Sequence, residues 1–276
     1  MRATIHHLTE YRYPEPAWDS FNELRLEPVS DDRQTVLSYQ LTVTPEAEVE
    51  RRRDYFGTPV QHVHAALPHE LLRFETRSLV VTHPVVGPPP APLSALTPLR
   101  GAWLEYLVAS ARVPLGQDWA ATFGWPAPQD EDDLVAYLDG LTRHLHARFA
   151  YTPGATGVNT PLAEFAASGR GVCQDYAHAM IAVCRSAGIP ARYVSGYVYA
   201  GADFVGAEAT HAWVEALVPG HGWLGLDPTN DVRVNEAHVK IGHGRDYDDV
   251  PPVRGVRRGG GRERLGVEVS FAAEGQ

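Results

Sequence analysis

Gly169-Arg170-Gly171-Val172-Cys173-Gln174-Asp175-Tyr176-Ala177-His178 is the stretch on which the reading of this chain turns. Gly169 and Gly171 interrupt any preceding regular structure. From Gln174 to Ala187 the residues are mostly good helix formers, and Gly188 followed by Pro190 ends the run. The pattern predicts a helix with Cys173 at its N-terminal end. Unpaired N–H groups there favour the thiolate, which is the nucleophilic form of cysteine. The same end can offer a backbone N–H to a developing oxyanion. Core packing is the competing reading, because Cys173, Ala177, Met180 and Cys184 form one helical stripe. Cys184, inside Ile181-Ala182-Val183, reads as a buried hydrophobe. Cys173 lies between glycines and polar Gln174 and Asp175, and reads as a nucleophile.

A second segment, Thr210-His211-Ala212-Trp213-Val214-Glu215, places His211 38 residues further on. Thr210 to Val218 alternates as a strand, with His211, Trp213, Glu215 and Leu217 on one face and Ala212, Val214, Ala216 and Val218 on the other. The aliphatic face predicts packing inside, and the histidine face a cleft. Pro219-Gly220-His221-Gly222 is a turn signal, and a returning strand, Gly222-Trp223-Leu224-Gly225-Leu226, ends at Asp227. A carboxylate there would accept the imidazole N–H, fix its tautomer and stabilise the imidazolium. Whether His211 and Asp227 share a face depends on register, which turn length leaves open. For Asp227 an Asp-Pro strand terminator is the bland alternative.

At these residues the chain resembles the transglutaminase-like superfamily of cysteine acyl-transfer enzymes, in its bacterial branch. Besides the segment at Cys173, the resemblance is carried by Gly188-Ile189-Pro190-Ala191-Arg192-Tyr193-Val194-Ser195-Gly196-Tyr197, His211-Ala212-Trp213-Val214-Glu215 and Gly225-Leu226-Asp227-Pro228-Thr229-Asn230. Gly244-Arg245-Asp246-Tyr247-Asp248-Asp249-Val250-Pro251-Pro252 is similar to a further bacterial stretch. It extends from about Tyr151 to the C-terminus, and the first ~80 residues look like this branch's own N-terminal β-region. The resemblance implies Cys173 as nucleophile, His211 as general base and then acid, and Asp227 as orienter. It leaves the substrate open, since such domains include crosslinkers, proteases, amidases and inactive relatives.

The 276 residues, 44% hydrophobic and 21% charged, suit one large or two small domains with a real core. Residues 1–83 read as an N-terminal antiparallel β-sandwich-like domain: Leu24-Arg25-Leu26, Thr35 to Val43 and Leu79 to Thr82 have strand character and are separated by turn clusters. Residues 84–101 read as a proline-rich linker. Residues 102–276 read as the catalytic core: helices at Ala102 to Ala111 and from Asp130 towards Phe149, a loop from Tyr151 to Arg170, the Cys173 helix, and then an antiparallel sheet including Val239 to Ile241 and Leu265 to Phe271. The fold class is α+β, with the nucleophile's helix packed on an antiparallel sheet as in papain- and transglutaminase-like cores. Tyr151, Gln174 and Trp213 are candidates for the oxyanion or substrate contacts.

Composition also restricts partners. A net charge of −10 disfavours nucleic acid. No apolar run approaches the ~20 residues of a membrane span, and Met1 to Glu10 lacks the apolar stretch of a signal peptide. On a helix, Cys173 and Cys184 stand ~16 Å apart, too far for a disulfide, which fits a reduced, cytoplasmic setting. Lys240 is the one lysine among 24 basic residues. That reads as codon bias towards arginine; the alternative is a chain poor in amines that cannot crosslink itself. Arg254, Arg257, Arg258, Arg262 and Arg264 read as a solvated loop.

A metal site built from Cys173, His178, Cys184 or His211 lacks the Cys-x-x-Cys or His-Glu-x-x-His spacing, and Asp246, Asp248 and Asp249 lack the spacing of a calcium loop. No cofactor is expected. The expected activity is attack on a carboxamide or peptide bond through a thioester, with hydrolysis preferred over transfer to an amine. A catalytically silent interaction module is the reading from a different class.

Overall fold

The computed structural model describes residues 1–199, 204–206 and 209–274. In chain order its strands begin with β1 (Arg2–Leu24), β2 (Gln34–Thr44), β3 (Glu48–Arg53), β4 (Pro59–Ala65) and β5 (His69–Thr82). A 3-10 segment (Leu93–Tyr106) leads to α1 (Trp119–Phe123), α2 (Leu134–Arg148), β6 (Ala150–Tyr151), α3 (Leu162–Ser168), β7 (Arg170–Gly171) and α4 (Cys173–Ser186). Then come β8 (Ala191–Val198), β9 (His211–Val218), β10 (Gly222–Asp227), β11 (Val232–Arg233), β12 (His238–Gly244), β13 (Val253–Gly259) and β14 (Arg264–Glu274). The architecture is α+β and mostly sheet.

Two antiparallel sheets organise it. The first runs β2-β5-β1-β4-β3, with β13 and β14 also paired to β1. The second runs β11-β10-β9-β8-β12. As the alternation predicted, Ala212, Val214, Ala216 and Val218 face the core, where they pack with the apolar side of α4 and with α2. Burying such a face supplies most of the drive for folding, at ~25 cal/mol per Å² of apolar surface.

Three sequence-based boundaries shift. Leu265 to Phe271 was expected in the core sheet. Instead β14 pairs with residues 2–12 of β1 and β13 with residues 17–24, so the chain's end returns to the N-terminal sheet. Alternation marks a strand but carries no information about which edge it joins. Arg254, Arg257 and Arg258 consequently lie on β13, and Arg264 begins β14, rather than sitting in a loop. The proline-rich stretch ends in the 3-10 segment, which buries Leu93, Leu96 and Tyr106 and displaces the helix expected from Ala102 to Ala111. The expected loop before Cys173 contains α3. In α2, Asp133 caps the first turn by accepting the Val135 N–H (3.0 Å).

The sheets meet through apolar and ionic contacts. Ile5 and Val80 pack on Tyr197, Val239 and Ile241. The Tyr197 hydroxyl and His7 Nδ1 are 3.0 Å apart. Beside this, Glu215 accepts from Lys240 Nζ at 2.8 and 2.9 Å and from Arg192 Nε at 2.7 Å. The Lys240 backbone bonds the Gln34 amide of the first sheet in both directions (2.7 and 2.8 Å). Burial alone would raise the Glu215 carboxyl, but the Arg192 and Lys240 charges outweigh it and hold it well below its usual range. Burial pushes Lys240 down, against the attraction of Glu215.

Removing the carboxylate leaves two buried cations. Glu215→Gln is expected to cost ~3–5 kcal/mol in urea unfolding, and Lys240→Met less, since Glu215 keeps Arg192. Because the folded carboxyl titrates below its unfolded value of 4.5, the wild-type advantage is full above that pH and shrinks as pH falls beneath it. Equal costs for the two variants would contradict this account.

Candidate active site

Cys173 is the first residue of α4, and the segment ahead of it is fixed from two sides. β6 pairs in parallel with β7, setting Tyr151 opposite Gly171. Buried Asp175 reaches back to accept the Val172 N–H (2.8 Å) and the Thr156 hydroxyl (2.6 Å). A Cβ on Gly171 would lie 2.6 Å from Asp175 Oδ2 and 2.7 Å from the Phe165 ring, so this close approach requires glycine. The Cys173 thiol is half-buried. Cys184 is fully buried in the core, where burial pushes its thiol up to about 12.

His211 opens β9 and Asp227 closes β10. Leu226 pairs with Val214, which puts Asp227 on the face of Trp213 and His211. His211 Nε2 and Asp227 Oδ2 are 2.8 Å apart with both side chains fully buried. The other ring nitrogen, Nδ1, has no partner at ordinary hydrogen-bond geometry. Burial opposes charge on the ring, but the charge and hydrogen bond of Asp227 and the nearby Cys173 thiol outweigh it and raise the imidazole. The structure therefore brings Cys173, His211 and Asp227 together in the order thiol, imidazole, carboxylate.

Asp227 is held by more donors than His211. Its Oδ1 accepts the backbone N–H groups of Thr229 (2.9 Å) and Asn230 (3.3 Å). Its Oδ2 also receives Asn230 Nδ2 (2.8 Å) and lies 3.3 Å from His238 Nε2. Burial would raise this carboxyl; the charge and hydrogen bond of His211 and the hydrogen bond of His238 outweigh it and hold it far down. Asn230 continues outward, accepting the Val205 N–H at 2.9 Å.

Gly206 comes next, with φ +85°. A Cβ there would lie 2.8 Å from His211 Nδ1 and 3.3 Å from the Tyr151 hydroxyl. The Tyr151 hydroxyl and His211 Nδ1 thus lie against the same side of the Gly206 backbone. Gln174 is buried, and its Nε2 approaches the Val158 carbonyl (3.4 Å), tying α4 to the preceding loop. Trp213 departs from expectation. It is 1% exposed and lies edge-on to His238 (5.3 Å between ring centres), so it supports the site from behind and is out of reach of a substrate. Its place in an inward-facing sheet layer outweighs its closeness to His211 in sequence.

Among the described residues no three His, Cys, Asp or Glu side chains are grouped to hold a metal ion. His178 Nε2 accepts the Tyr247 N–H (3.2 Å), and burial with Arg112 and Arg185 nearby pushes it down to about 3. Asp248 and Asp249 pair with Arg112 and Arg245, and Asp246 accepts the Arg112 N–H. Sequence reasoning passed over Gly206, Asn230 and His238. The signal for Asn230 was its place two residues after Asp227-Pro228, where a turn folds back on the carboxylate. Nothing local singled out His238 among 13 histidines.

Comparison with known proteins gives matches across the chain. Residues 127–228 match the transglutaminase-like superfamily core and residues 3–81 the bacterial transglutaminase-like N-terminal region. An uncharacterised protein of Mycobacterium leprae is 36% identical, covering 98% of both chains. A protein-glutamine gamma-glutamyltransferase of Pseudomonas aeruginosa is 44% identical over 108 residues, 36% of this chain and 16% of that protein. A crystal structure from Cytophaga hutchinsonii, of a protein described as a candidate cysteine protease, has the same fold: TM-score 0.80 at 23% identity, covering 100% of this chain and 91% of that one.

Gly206→Ala tests the packing over the imidazole. Its Cβ would press on Nδ1, and the positive φ adds ~1–3 kcal/mol of local strain. Alkylation of Cys173 by iodoacetamide is expected to slow by about 10²-fold, as for a displaced reacting group, with the thermal midpoint lowered by a few degrees, as strain of that size implies. An unaltered rate would mean the 204–206 backbone does not rest on the ring.

Proposed function

Because this chain belongs to the transglutaminase-like superfamily, we propose that it is a cysteine-nucleophile enzyme that cleaves a carboxamide or peptide bond through a thioester, with water as the acceptor. The observation that carries the proposal is His211, held at Nε2 by buried Asp227, with its Nδ1 left without a hydrogen-bond partner and half-buried Cys173 close enough to raise the ring.

The chemistry follows from that geometry. His211 Nδ1 takes the thiol proton, and Cys173 Sγ bonds to the carbonyl carbon. The oxyanion is met by the N–H groups of Cys173 and Gln174 at the head of α4, the Asp175 N–H being taken by the Val172 carbonyl (2.9 Å), with the Tyr151 hydroxyl as a further donor. As the C–N bond breaks, His211 Nδ1 returns the proton to the leaving amine. Water then attacks the thioester while Nδ1 accepts its proton, and the C–S bond breaks to restore the thiol. Asp227 holds the ring in one tautomer and stabilises its cationic form throughout.

Water is supported as acceptor by where the aromatic side chains lie. An amine acceptor is favoured when apolar walls exclude water. Tyr176 and Trp213 are buried in the core, Trp223 stacks under Arg192 (4.0 Å), and Tyr199 packs on Phe271 (5.3 Å), so none of these four walls the thiol. Transfer to an amine is the second reading, favoured by the likeness to the Pseudomonas protein named for γ-glutamyl transfer.

A library of glutamine-containing and γ-glutamyl peptides, incubated with and without a primary amine, separates the two by product mass. Cys173→Ala is expected to remove turnover, at least about 10⁴-fold, with His211→Ala nearly as severe and Asp227→Asn milder, about 10²–10⁴-fold. Undiminished turnover in Cys173→Ala would refute covalent catalysis.

A further inference from the structure

We infer that His238 is a positioning residue of this site: a second, neutral imidazole that donates to the same Asp227 oxygen as His211 and sets how firmly that carboxylate grips the base. The inference rests on the covalent reading above and deepens it.

The tautomer follows from the surroundings. The backbone N–H of Asn235 points at His238 Nδ1 (3.3 Å), and a backbone amide can only donate. Nδ1 is therefore bare. The Asn235 side-chain oxygen lies 3.4 Å from the same nitrogen, a longer contact than that of the N–H, and Nε2 faces a carboxylate, which can only accept. The ring proton must sit on Nε2, which faces Asp227 Oδ2 at 3.3 Å. The ring is also clamped, edge-on to Trp213 at 5.3 Å and to Phe204 at 5.7 Å. Its side chain is wholly buried.

Sharing one oxygen has a consequence. Each donor on Oδ2 draws electron density from it and weakens the others' hold. With only His211 and Asn230 Nδ2 on it, Oδ2 would hold the imidazole cationic more firmly, and a base must give up its proton as readily as it takes one. His238 lessens that grip while fixing the oxygen in the plane His211 needs. It touches neither thiol nor substrate. Facing it are Asp227 from β10, His211 and Glu215 from β9, and Lys240 from its own strand. Asp31, Arg33 and His83 reach the small void of about 20 Å³ alongside.

Two measurements on the full chain, neither needing a substrate, test this. In ¹⁵N NMR of histidine-labelled protein near pH ~7, His238, assigned by its loss in His238→Gln, is expected to show a bare Nδ1 and a protonated Nε2. The opposite tautomer, or a doubly protonated ring, overturns the inference. The second is the rate of Cys173 alkylation by iodoacetamide across pH. His238→Phe, which lacks the donor, is expected to react about tenfold faster near neutral pH, because a more firmly held imidazolium keeps more of Cys173 as thiolate. Its alkaline limb is expected to move up by roughly one pH unit as Asp227 tightens on His211. His238→Gln, whose amide can donate from the same place, is expected to restore both. A folded His238→Phe with the wild-type profile overturns His238's role and leaves the covalent proposal standing. A wild-type Cys173 that reacts only as an ordinary free thiol overturns the covalent proposal and this inference with it.

Discussion

The Asp227 carboxylate is the constraint around which the catalytic half is arranged. Placing an unpaired carboxylate in a dry interior costs several kcal/mol or more, and this one is 0% exposed. It is tolerable because two backbone amides, the Asn230 amide and two imidazoles converge on its oxygens. Those donors come from the start of β9, the turn after β10 and the start of β12. The carboxylate therefore pins together strand ends that are not all neighbours in the sheet. Through Asn230 and Val205 it also draws the 204–206 backbone onto the imidazole. One buried charge both orients the base and closes the wall over it.

The N-terminal sheet fits this arrangement as a structural necessity. The outer face of the second sheet carries Arg192, Glu215 and Lys240, which cannot be covered by an aliphatic layer without leaving charges unmatched. The first sheet supplies Gln34 to the Lys240 backbone, Arg33 to the Trp223 carbonyl (2.6 Å) and His7 to Tyr197. Because β13 and β14 return to β1, the first sheet is closed by the last residues of the chain. The first sheet is therefore not finished until the strands of the second have been passed. The His211 strand is thus braced along its length, by Asp227 at one end and by Glu215 further on.

What could be read from sequence divides along physical lines. Glycines, an N-terminal turn and an uninterrupted helical run locate Cys173, and a two-residue period with a polar face locates His211, because both are local patterns. Asp227 was readable as a strand end, but its register was not; that depends on which residues of β9 pair with β10. His238 and Gly206 were invisible. A histidine opening a short strand resembles twelve others, and a glycine between polar residues resembles a plain loop. Their meaning comes only from what the fold brings near them. Trp213 shares the His211 face of its strand, as the spacing predicts, but all eight residues of that strand are buried, so sharing the face leaves it 1% exposed.

Under the proposed chemistry, the burial pattern across the three central side chains also dictates how a substrate must approach. The imidazole is 1% exposed and the carboxylate not at all, while the thiol at the head of α4 is half-buried. A carbonyl can then meet the site only at sulfur, with the amides of the first turn beside it and the imidazole reached through the thiol's own proton. The base is shielded from water, so its charge is governed by Asp227 and the donors that share that carboxylate. Such a site has little tolerance for loss of any one donor, since nothing from solvent can replace it. That intolerance is why the outer partners of Asp227 belong to the chemistry as much as to the fold.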